Sequence, residues 1–486
     1  MALCLIPFTF GDNFVSVVVV SMKIEQLLKK IHALSAKAKT PVYPVGGFVR
    51  DYILAGNALP ETKDIDFVVL GSGVAFARTA IDTLKGEDFV AFEEFDTARF
   101  RIDDIVIECA GARSENYQEA SRKPHVTAVA TLEEDLKRRD FTINAMALEL
   151  TAKGVGAIID PRGGQKDLTR RIIRTPLAPE ETFSDDPLRI IRACRFAGRF
   201  NFAIEEHTKT AITKNIERLS VVSWERIKEE LDKMLTHEKP SSALIQLYAM
   251  SVLEYIAPEL TALDGVEYVG DKGHKNQFTH TLQVLDQMIP LSDKLNLRWA
   301  AFLHDIGKAP TKRFDKKLGW TFHAHDFVGQ KMFGVMGRRL RFDTHSIKYI
   351  QKLIRWHLRP IALCDEGISD SAVRRLIVNM GDDLEDLLKL YRADITTKNP
   401  RKLAQRAEDY ERLLERIEEV RETDRLRAFQ SPVRGEEIMQ LCGLKPGKDV
   451  GTFKTAIEEA ILEGIIPNEY EAAKAYLLKI KGSILK

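Results

Sequence analysis

The chain has 486 residues, 44% hydrophobic and 29% charged, with 72 basic against 71 acidic side chains and a formal net charge of +1. That length exceeds one ordinary core and points to about two to four domains; the composition excludes a disordered or fibrous chain. A near-zero balance gives no global signature of a polyanion partner, so any such surface has to be a local basic patch. Five cysteines, at 4, 109, 194, 364 and 442, show no C-x-x-C spacing. They argue against a disulfide framework or zinc knuckle and fit a reducing cytoplasm.

The first stretch, Met1 to Ser21, is apolar, but Asp12 interrupts it, no Lys or Arg precedes it, and the run Phe14 to Val20 is short for a spanning helix. Neither a signal peptide nor a membrane segment is expected. Met22 begins an amphipathic spacing, Ile24, Leu27, Leu28 and Ile31, so residues 1–21 read as an N-terminal extension. From Pro41 to Leu150 short β-rich runs alternate with helical ones: Asp64-Ile-Asp-Phe-Val-Val-Leu70 and Ile105-Val-Ile-Glu-Cys109 read as strands and Val74 to Leu84 as a helix. After Asp167 strand signals almost vanish. Amphipathic helical patterns such as Ser223 to Leu235, Pro240 to Met250 and Arg401 to Arg427 continue to the end, with breakers near Arg171, Pro240, Pro400 and Gln430-Ser-Pro-Val-Arg-Gly435.

Chemistry concentrates first in the α/β part. In Val45-Gly-Gly-Phe-Val-Arg-Asp51, Gly46 and Gly47 precede a helical run, where backbone amides can approach a triphosphate and Arg50 can add a charged contact. Asp64 and Asp66 are two apart on a strand, so both carboxylates share a face and repel unless a cation bridges them. Glu108 supplies a third if its strand is a neighbour. Such oxygens suit divalent ions that activate a hydroxyl and stabilise a pyrophosphate leaving group. In Arg138-Arg-Asp-Phe-Thr-Ile-Asn-Ala145, Asp140 and Asn144 are four apart and would share a helical face suited to ribose hydroxyls, with Arg138 or Arg139 reaching phosphate. In Asp186-Pro-Leu-Arg189, Asp186 can cap a helix with Pro187 at its first position and Arg189 on the same side. An Asp acceptor and an Arg donor can together satisfy the edge of cytosine or adenine.

Taken together, Gly46-Gly-x-Val-Arg-Asp51 followed by Asp64-x-Asp66 resembles the head of the class II tRNA nucleotidyltransferase and bacterial poly(A) polymerase family. Arg138 to Ala145 resembles its ribose-recognising motif, Ile159-Asp-Pro-Arg-Gly-Gly164 its hinge, Asp186 to Arg189 its base reader, and Glu225-Arg-Ile-Lys-Glu-Glu230 its neck helix. Where the family usually has Glu before the base-reading Asp, this chain has Asp185.

Further on, His304-Asp-Ile-Gly-Lys308 closes the apolar run Trp299-Ala-Ala-Phe-Leu303, with His280 before it and His325, His357 and Asp394 at helix-sized intervals after it. Imidazole and carboxylate ligands from different helices can hold one or two divalent ions. The pattern resembles the HD phosphohydrolase superfamily. That resemblance implies His280, His304, Asp305 and Asp394 as core ligands, with His325 and His357 serving a second ion or the substrate phosphate; His323 is an alternative to His325. Gly443-Leu-Lys-Pro-Gly-Lys-Asp-Val-Gly451 supplies basic residues and free amides and resembles the tail of HD-containing tRNA nucleotidyltransferases.

The expected architecture is α+β and multidomain: after the extension, a small α/β nucleotidyltransferase head at 22–170, then an all-α neck at 171–240, HD body at 241–400 and tail at 401–486. The implied reaction is template-independent addition of CMP and AMP, from CTP and ATP, to the tRNA acceptor end in the cytoplasm. Mg²⁺ is expected in the head and a transition metal or Mg²⁺ in the HD site; no membrane or obligate protein partner is indicated. Three rivals stand: a poly(A) polymerase, an HD phosphohydrolase with a nucleotide-binding head, and a non-catalytic RNA-binding protein. Whether all of CCA, only CC or only A is added depends on loop geometry that the sequence does not display.

Overall fold

The computed structural model describes residues 13–116, 125–128, 131–269, 272–365, 369–397, 399–424 and 431–484. The chain divides into two compact units, Met1–Met234 with Ser242–Ile256, and Leu235–Ser241 with Ala257–Lys486.

The first unit opens with helix α1 (Asn13–Ala38), in which the apolar run Phe14 to Val20 and the buried stripe Ile24, Leu27, Leu28 and Ile31 are continuous. Residues 1–12 of the expected extension lie outside the described residues. Strands β1 (Val42–Val45), β2 (Asp64–Val69), β3 (Glu87–Phe92), β4 (Thr97–Ile102) and β5 (Ile105–Gly111) follow. A separate antiparallel ladder, β6 (Arg113–Asn116) with β7 (His125–Ala128), precedes β8 (Ala147–Thr151) and β9 (Gly154–Ile159). Seven of these form one mixed sheet in the order β3-β4-β5-β2-β1-β8-β9. Its one parallel pair is β2 with β5, and α2 (Gly47–Leu54) and α3 (Gly73–Leu84) provide the intervening helices. Ser72 starts α3 by accepting the Ala75 amide.

Period-two alternation decides the faces. In β2, Ile65 and Phe67 go into the core while Asp64 and Asp66 stay exposed; in β5, Ile107 and Cys109 are buried and Glu108 is exposed. The unit continues through α4 (Leu132–Lys137), α5 (Gly164–Arg170), α6 (Pro179–Asp185), α7 (Leu188–Phe200), α8 (Glu206–Asn215), α9 (Trp224–Leu235), α10 (Pro240–Ala249) and α11 (Val252–Ile256), with a two-residue parallel ladder, β10 (Ile172–Ile173) and β11 (Ala203–Ile204). One expectation is corrected. Arg138 to Ala145 is not helical: α4 ends at Lys137 and only Thr142–Asn144 form a 3₁₀ turn. Asp140 and Asn144 meet through that tighter turn instead of along a helix face, because Asp140 accepts the Phe141 amide at 2.8 Å and so offers the backbone a partner outside a helix.

Among its described residues the second unit is helical apart from two antiparallel pairs, β12 (Tyr268–Val269) with β13 (Lys272–Gly273) and β14 (Arg313–Asp315) with β15 (Gly319–Thr321). Its helices are α12 (Pro258–Thr261), α13 (Gln277–Met288), α14 (Leu295–Leu303), α15 (Lys308–Thr311), α16 (His325–Arg339), α17 (Thr344–Trp356), α18 (Arg359–Asp365), α19 (Asp370–Met380), α20 (Leu384–Asp394) and α21 (Pro400–Asp424). Trp299, Phe302 and Phe333 are almost fully buried at its centre. Gly307 is required where the turn after α14 meets α16: a Cβ there would lie 2.1 Å from the His325 carbonyl oxygen. The last three helices, α22 (Gly435–Cys442), α23 (Lys448–Leu462) and α24 (Tyr470–Ile484), close on a core of Val433, Ile438, Phe453, Ile457 and Leu477. No helix among the described residues is long and apolar enough to cross a membrane.

Candidate functional site: a carboxylate face in the first unit and a histidine cluster in the second

In the first unit strand register does the assembling. Asp66 stands opposite Glu108 in the parallel β2–β5 pair, and Asp64 shares its face two residues away. Although solvent reaches Asp66, surrounding protein and then the Glu108 and Asp64 carboxylates push its carboxyl up to about 6, against the pull of Arg139. That is the like-charge crowding a hard cation would relieve, and an all-oxygen donor set fits such an ion. The face holds a pair and a neighbour: among the described residues, clusters of three ligand atoms all within 4.8 Å of one another occur only in the second unit.

Beside the carboxylates, Gly46 caps α2 with φ +69°, and a Cβ there would sit 3.4 Å from Arg139 Nη1 and 3.6 Å from Asp66 Oδ2. A side chain at this position would be strained and would enter the space between cation and carboxylate. The α2 amides start at Gly47 and give that space a partial positive charge. Arg138 and Arg139 are both held by Asp135, which is fully buried: Arg138 Nη2 donates at 2.6 Å and Arg139 Nη2 at 3.1 Å. Burial opposes the Asp135 charge, but the two guanidiniums outweigh it and hold the carboxyl below its ordinary range.

Arg50 is placed differently from the outward reach expected of it. It is buried, donates to Asn144 Oδ1 at 2.7 Å and to both oxygens of Asp51, and lies 4.7 Å from the Phe200 ring centroid. A chain of contacts continues inward. Asn144 Nδ2 donates to Asp140 Oδ1 at 3.0 Å, Arg192 Nη2 to Asp140 Oδ2 at 2.5 Å, and Glu230 on α9 accepts from Arg195 Nε at 2.6 Å and Arg192 Nη1 at 3.3 Å. Burial works against Asp140, yet Arg192 and Asn144 bring its carboxyl down to about 2. At the start of α7, Pro187 is the N-cap residue, one position earlier in the helix than expected, and Asp186 accepts from the Leu188 amide and from Arg226 Nη2 at 2.8 Å. Arg189 Nη2 donates to the Arg138 carbonyl at 2.8 Å, which ties the start of α7 to the arginine pair.

In the second unit six side chains converge from helix ends. His304 caps α14, His357 caps α17, Asp394 ends α20, His325 begins α16, Asp305 follows His304, and His280 lies in the first turn of α13. They form two clusters, His280 with His304 and Asp394, and Asp305 with His325 and His357. Asp305 joins them: its Oδ2 is 3.4 Å from His280 Nε2 and 3.3 Å from His304 Nε2, while its Oδ1 is 3.4 Å from His325 Nε2 and 3.6 Å from His357 Nε2. His304, His325 and His357 each direct Nδ1 at the carbonyl three residues back, at 2.9, 2.7 and 2.7 Å. An acceptor at Nδ1 fixes the proton there and leaves Nε2 a lone pair facing inward. His304 Nε2 is buried without a hydrogen-bond partner of proper geometry, an orphan that a metal ion would satisfy. Burial pushes His280 and His357 below the ordinary imidazole value, which favours the neutral ligand form, whereas at His304 burial is outweighed by Asp305 and Asp394, which raise it. Burial opposes the charge of Asp305, but His304 and Lys308 hold that carboxyl well down. The donor set fits one or two divalent ions, which His280, His304 and Asp394 on one side and Asp305, His325 and His357 on the other would hold. His325 is the residue brought to the cluster; His323 is exposed and outside it.

Comparison with known proteins matches residues 42–174 to the "Poly A polymerase head domain", 201–263 to the "Probable RNA and SrmB- binding site of polymerase A", and 278–426 to the "HD domain". An A-adding tRNA nucleotidyltransferase of Deinococcus radiodurans is 33% identical over 70% of this chain and 78% of its own length. A CC-adding tRNA nucleotidyltransferase of Thermus thermophilus is 32% identical over 90% of this chain and 94% of its own. The chain belongs to the tRNA nucleotidyltransferase family. In fold, this family member is similar to the Bacillus stearothermophilus CCA-adding enzyme in complex with CTP, with TM-score 0.64 and 22% identity over 94% of this chain and 98% of that one.

Several of this tRNA nucleotidyltransferase's site residues are not evident in its sequence as sites, although spacing hints at them. Asp135 sits three and four residues before the arginines it holds, and Lys308 three after Asp305, to which it donates at 2.6 Å; both are helix-turn spacings. Arg192 lies one turn beyond Arg189. That Glu230 meets Arg192 and Arg195 is a tertiary fact with no local signal.

Proposed function

We propose that the enzyme adds CMP and AMP, from CTP and ATP, to the 3′ end of tRNA. The observation that carries this is the Asp64–Asp66 pair, with Glu108 in register beside it, facing a glycine-opened helix N-terminus and Arg139. Asp64 and Asp66 would hold Mg²⁺, which supplies an activated 3′-hydroxyl and neutralises charge on the departing pyrophosphate. The α2 amides and Arg139 orient the triphosphate, and Arg138 with Arg139, fixed by Asp135, set the phosphates at the distance the hydroxyl must reach. Asp140 and Asn144 frame the ribose, backed by Arg192 and Arg50. Asp186 and Arg189 read the base edge. Four free cysteines among the described residues accord with a cytoplasmic enzyme. The test is purified protein with tRNA ending before CCA and each nucleotide singly and together. Addition of CMP followed by AMP is expected; addition of AMP alone without limit would overturn the reading in favour of a polymerase, and CC or A alone would narrow it.

A second activity is favoured by the second unit: a metal-dependent phosphohydrolase. The convergent Nε2 atoms and the unpartnered His304 Nε2 support it, because a divalent ion there lowers the pKa of a bound water. Release of phosphate from nucleotides by the protein with Mg²⁺, Mn²⁺, Ni²⁺ or Co²⁺ tests it; no release with any of them would make this centre structural.

A further inference from the structure

Strand β1 ends at Val45, which pairs with Asp66 on one side and Ala147 on the other. The chain therefore enters α2 flanked by the carboxylate strand and by the segment that follows the turn at Thr142–Asn144. Arg50, in the first turn of α2, reaches across to that turn. Its Nη1 donates to Asn144 Oδ1 at 2.7 Å, while Nε and Nη2 donate to the two oxygens of Asp51 at 2.8 and 3.0 Å. The guanidinium carbon lies 4.7 Å from the Phe200 ring centroid and 5.5 Å from that of Phe196, and a Cβ on Gly47 would come within 3.4 Å of Nη2. Bidentate pairing with Asp51 and the two rings of α7 fix the plane of the fork. The direction of the bond to Asn144 is thus set by α2 and α7 and not by the turn that carries Asn144.

An amide has two unlike ends, and its neighbours decide which faces which way. Arg50 can only donate and a carboxylate can only accept, so Oδ1 of Asn144 faces Arg50 while Nδ2 donates to Asp140 Oδ1 at 3.0 Å. Asp140 Oδ1 also takes the Phe141 amide, and its Oδ2 takes Nε and Nη2 of Arg192, which fills the roughly four acceptor sites a carboxylate offers. What the pair keeps for a sugar hydroxyl is on Asn144, one N–H and the second lone pair of Oδ1. We infer that Arg50 is a positioning residue for sugar selection: by holding Oδ1 it aims the remaining N–H of Asn144 at the 2′-oxygen of the incoming nucleotide, with Asp140 anchoring the other end of the amide. The preference for a ribonucleotide over its 2′-deoxy counterpart then depends on Arg50, although Arg50 touches no part of the nucleotide. The inference rests on the reading that Asp140 and Asn144 face the ribose.

Addition of one nucleotide to tRNA ending before CCA gives kcat/KM for CTP and for dCTP, and the ratio of the two is the readout. A defect of folding or stability lowers both values together and leaves the ratio in place. Arg50→Met, which keeps the stem and loses the donors, should cut the ratio about tenfold or more, the range for a hydrogen bond to a charged group. Arg50→Lys should recover little of it, because an ammonium cannot pair with both oxygens of Asp51 and hold Asn144 in one plane. Asp51→Asn weakens only the other anchor of the guanidinium and should move the ratio the same way by less, which keeps the inference testable should Arg50→Met fail to fold. Asn144→Ala should cut the ratio at least as far as Arg50→Met, and the double variant no further than Asn144→Ala alone, since two residues acting through one bond are not additive. If Asn144→Ala lowers the ratio while Arg50→Met and Asp51→Asn leave it at the wild-type value, or if the double variant is additive, the inference falls and the ribose reading stands. A wild-type ratio near one, or a ratio unchanged in Asn144→Ala, removes the ribose reading itself and the inference with it.

Discussion

Replacing Glu230 by Ala tests whether the contacts between α7 and α9 are held by charge. Glu230 is 1% exposed and accepts from Arg195 Nε at 2.6 Å, Lys233 Nζ at 3.0 Å and Arg192 Nη1 at 3.3 Å. Truncating one partner of a buried ion pair costs about 3–5 kcal/mol, because the other charge stays buried and unpaired. Here Arg192 keeps Asp140, so the loss falls on Arg195, which is 8% exposed and retains the Phe196 ring at 4.2 Å. The lower end, about 3 kcal/mol, is therefore expected, with Glu230→Gln losing roughly half because an acceptor oxygen remains. Urea and thermal unfolding should show the first unit's transition shifted down by about 6–12 °C, at 2–4 °C per kcal/mol for a unit of this size. Burial opposes the Glu230 charge, but Arg195 and Arg192 hold its carboxyl below the ordinary 4.5. Its contribution is thus complete above pH 4.5 and lost as the pH falls through the lowered value. The defect of the Ala variant should be greatest near neutrality and shrink in acid. A loss under about 1 kcal/mol, or one equally large at pH 3 and pH 7, would show that packing rather than charge joins the two helices.

Asp64→Ala or Asp66→Ala should abolish nucleotide addition while leaving tRNA affinity within a few-fold by filter binding, since on the proposed reading these carboxylates hold metal rather than RNA; retained addition by either would sink that site. Asp186→Ala or Arg189→Ala should raise GTP or UTP incorporation relative to CTP, whereas unchanged selectivity with lower thermal stability would reduce the pair to contacts with Leu188, Arg226 and Arg138. Gly46→Ala should raise KM for both CTP and ATP, because its Cβ needs a strained φ and enters the space beside Arg139 and Asp66; wild-type kinetics would place the triphosphate elsewhere. Substituting His304 and Asp305 together by Ala should remove metal-dependent phosphate release and leave CMP and AMP addition largely intact, and a matching loss of addition would show that the centres are coupled.

The carboxylate face was legible because a strand's alternation is a local property. Asp64-x-Asp66 states which way two carboxylates point, and Ile105 to Cys109 states the same for Glu108; only their pairing in register needed coordinates. The histidine cluster was legible for a related reason, since its members fall at helix ends and intervals between helix ends can be read from apolar spacing. The fate of arginines was not. Arg50 reads as a phosphate contact from its place after Gly46 and Gly47, yet its guanidinium is turned inward onto Asn144, Asp51 and Phe200. A long cationic side chain goes where tertiary partners desolvate it least unfavourably, and nothing near Arg50 in sequence names partners near residues 144 and 200.

The helical reading of Arg138 to Ala145 failed for an instructive reason. Asp140 and Asn144 at four residues apart imply a shared helix face, and the two side chains do touch, at 3.0 Å. The contact is made across a turn in which Asp140 accepts its neighbour's amide, so the correct pair was inferred from the wrong geometry. The difference matters for function. A helix would aim both side chains outward along one face, whereas the turn buries them between Arg192 and Arg50, so that, on the proposed reading, a ribose would be met by a pre-set network rather than by two mobile groups. Such a network costs no reorganisation when substrate arrives. Its charges are balanced within the protein, Asp140 by Arg192 and Glu230 by Arg195 and Arg192, so the proposed nucleotide-selecting geometry would rest on the same few ion pairs that join α7 to α9.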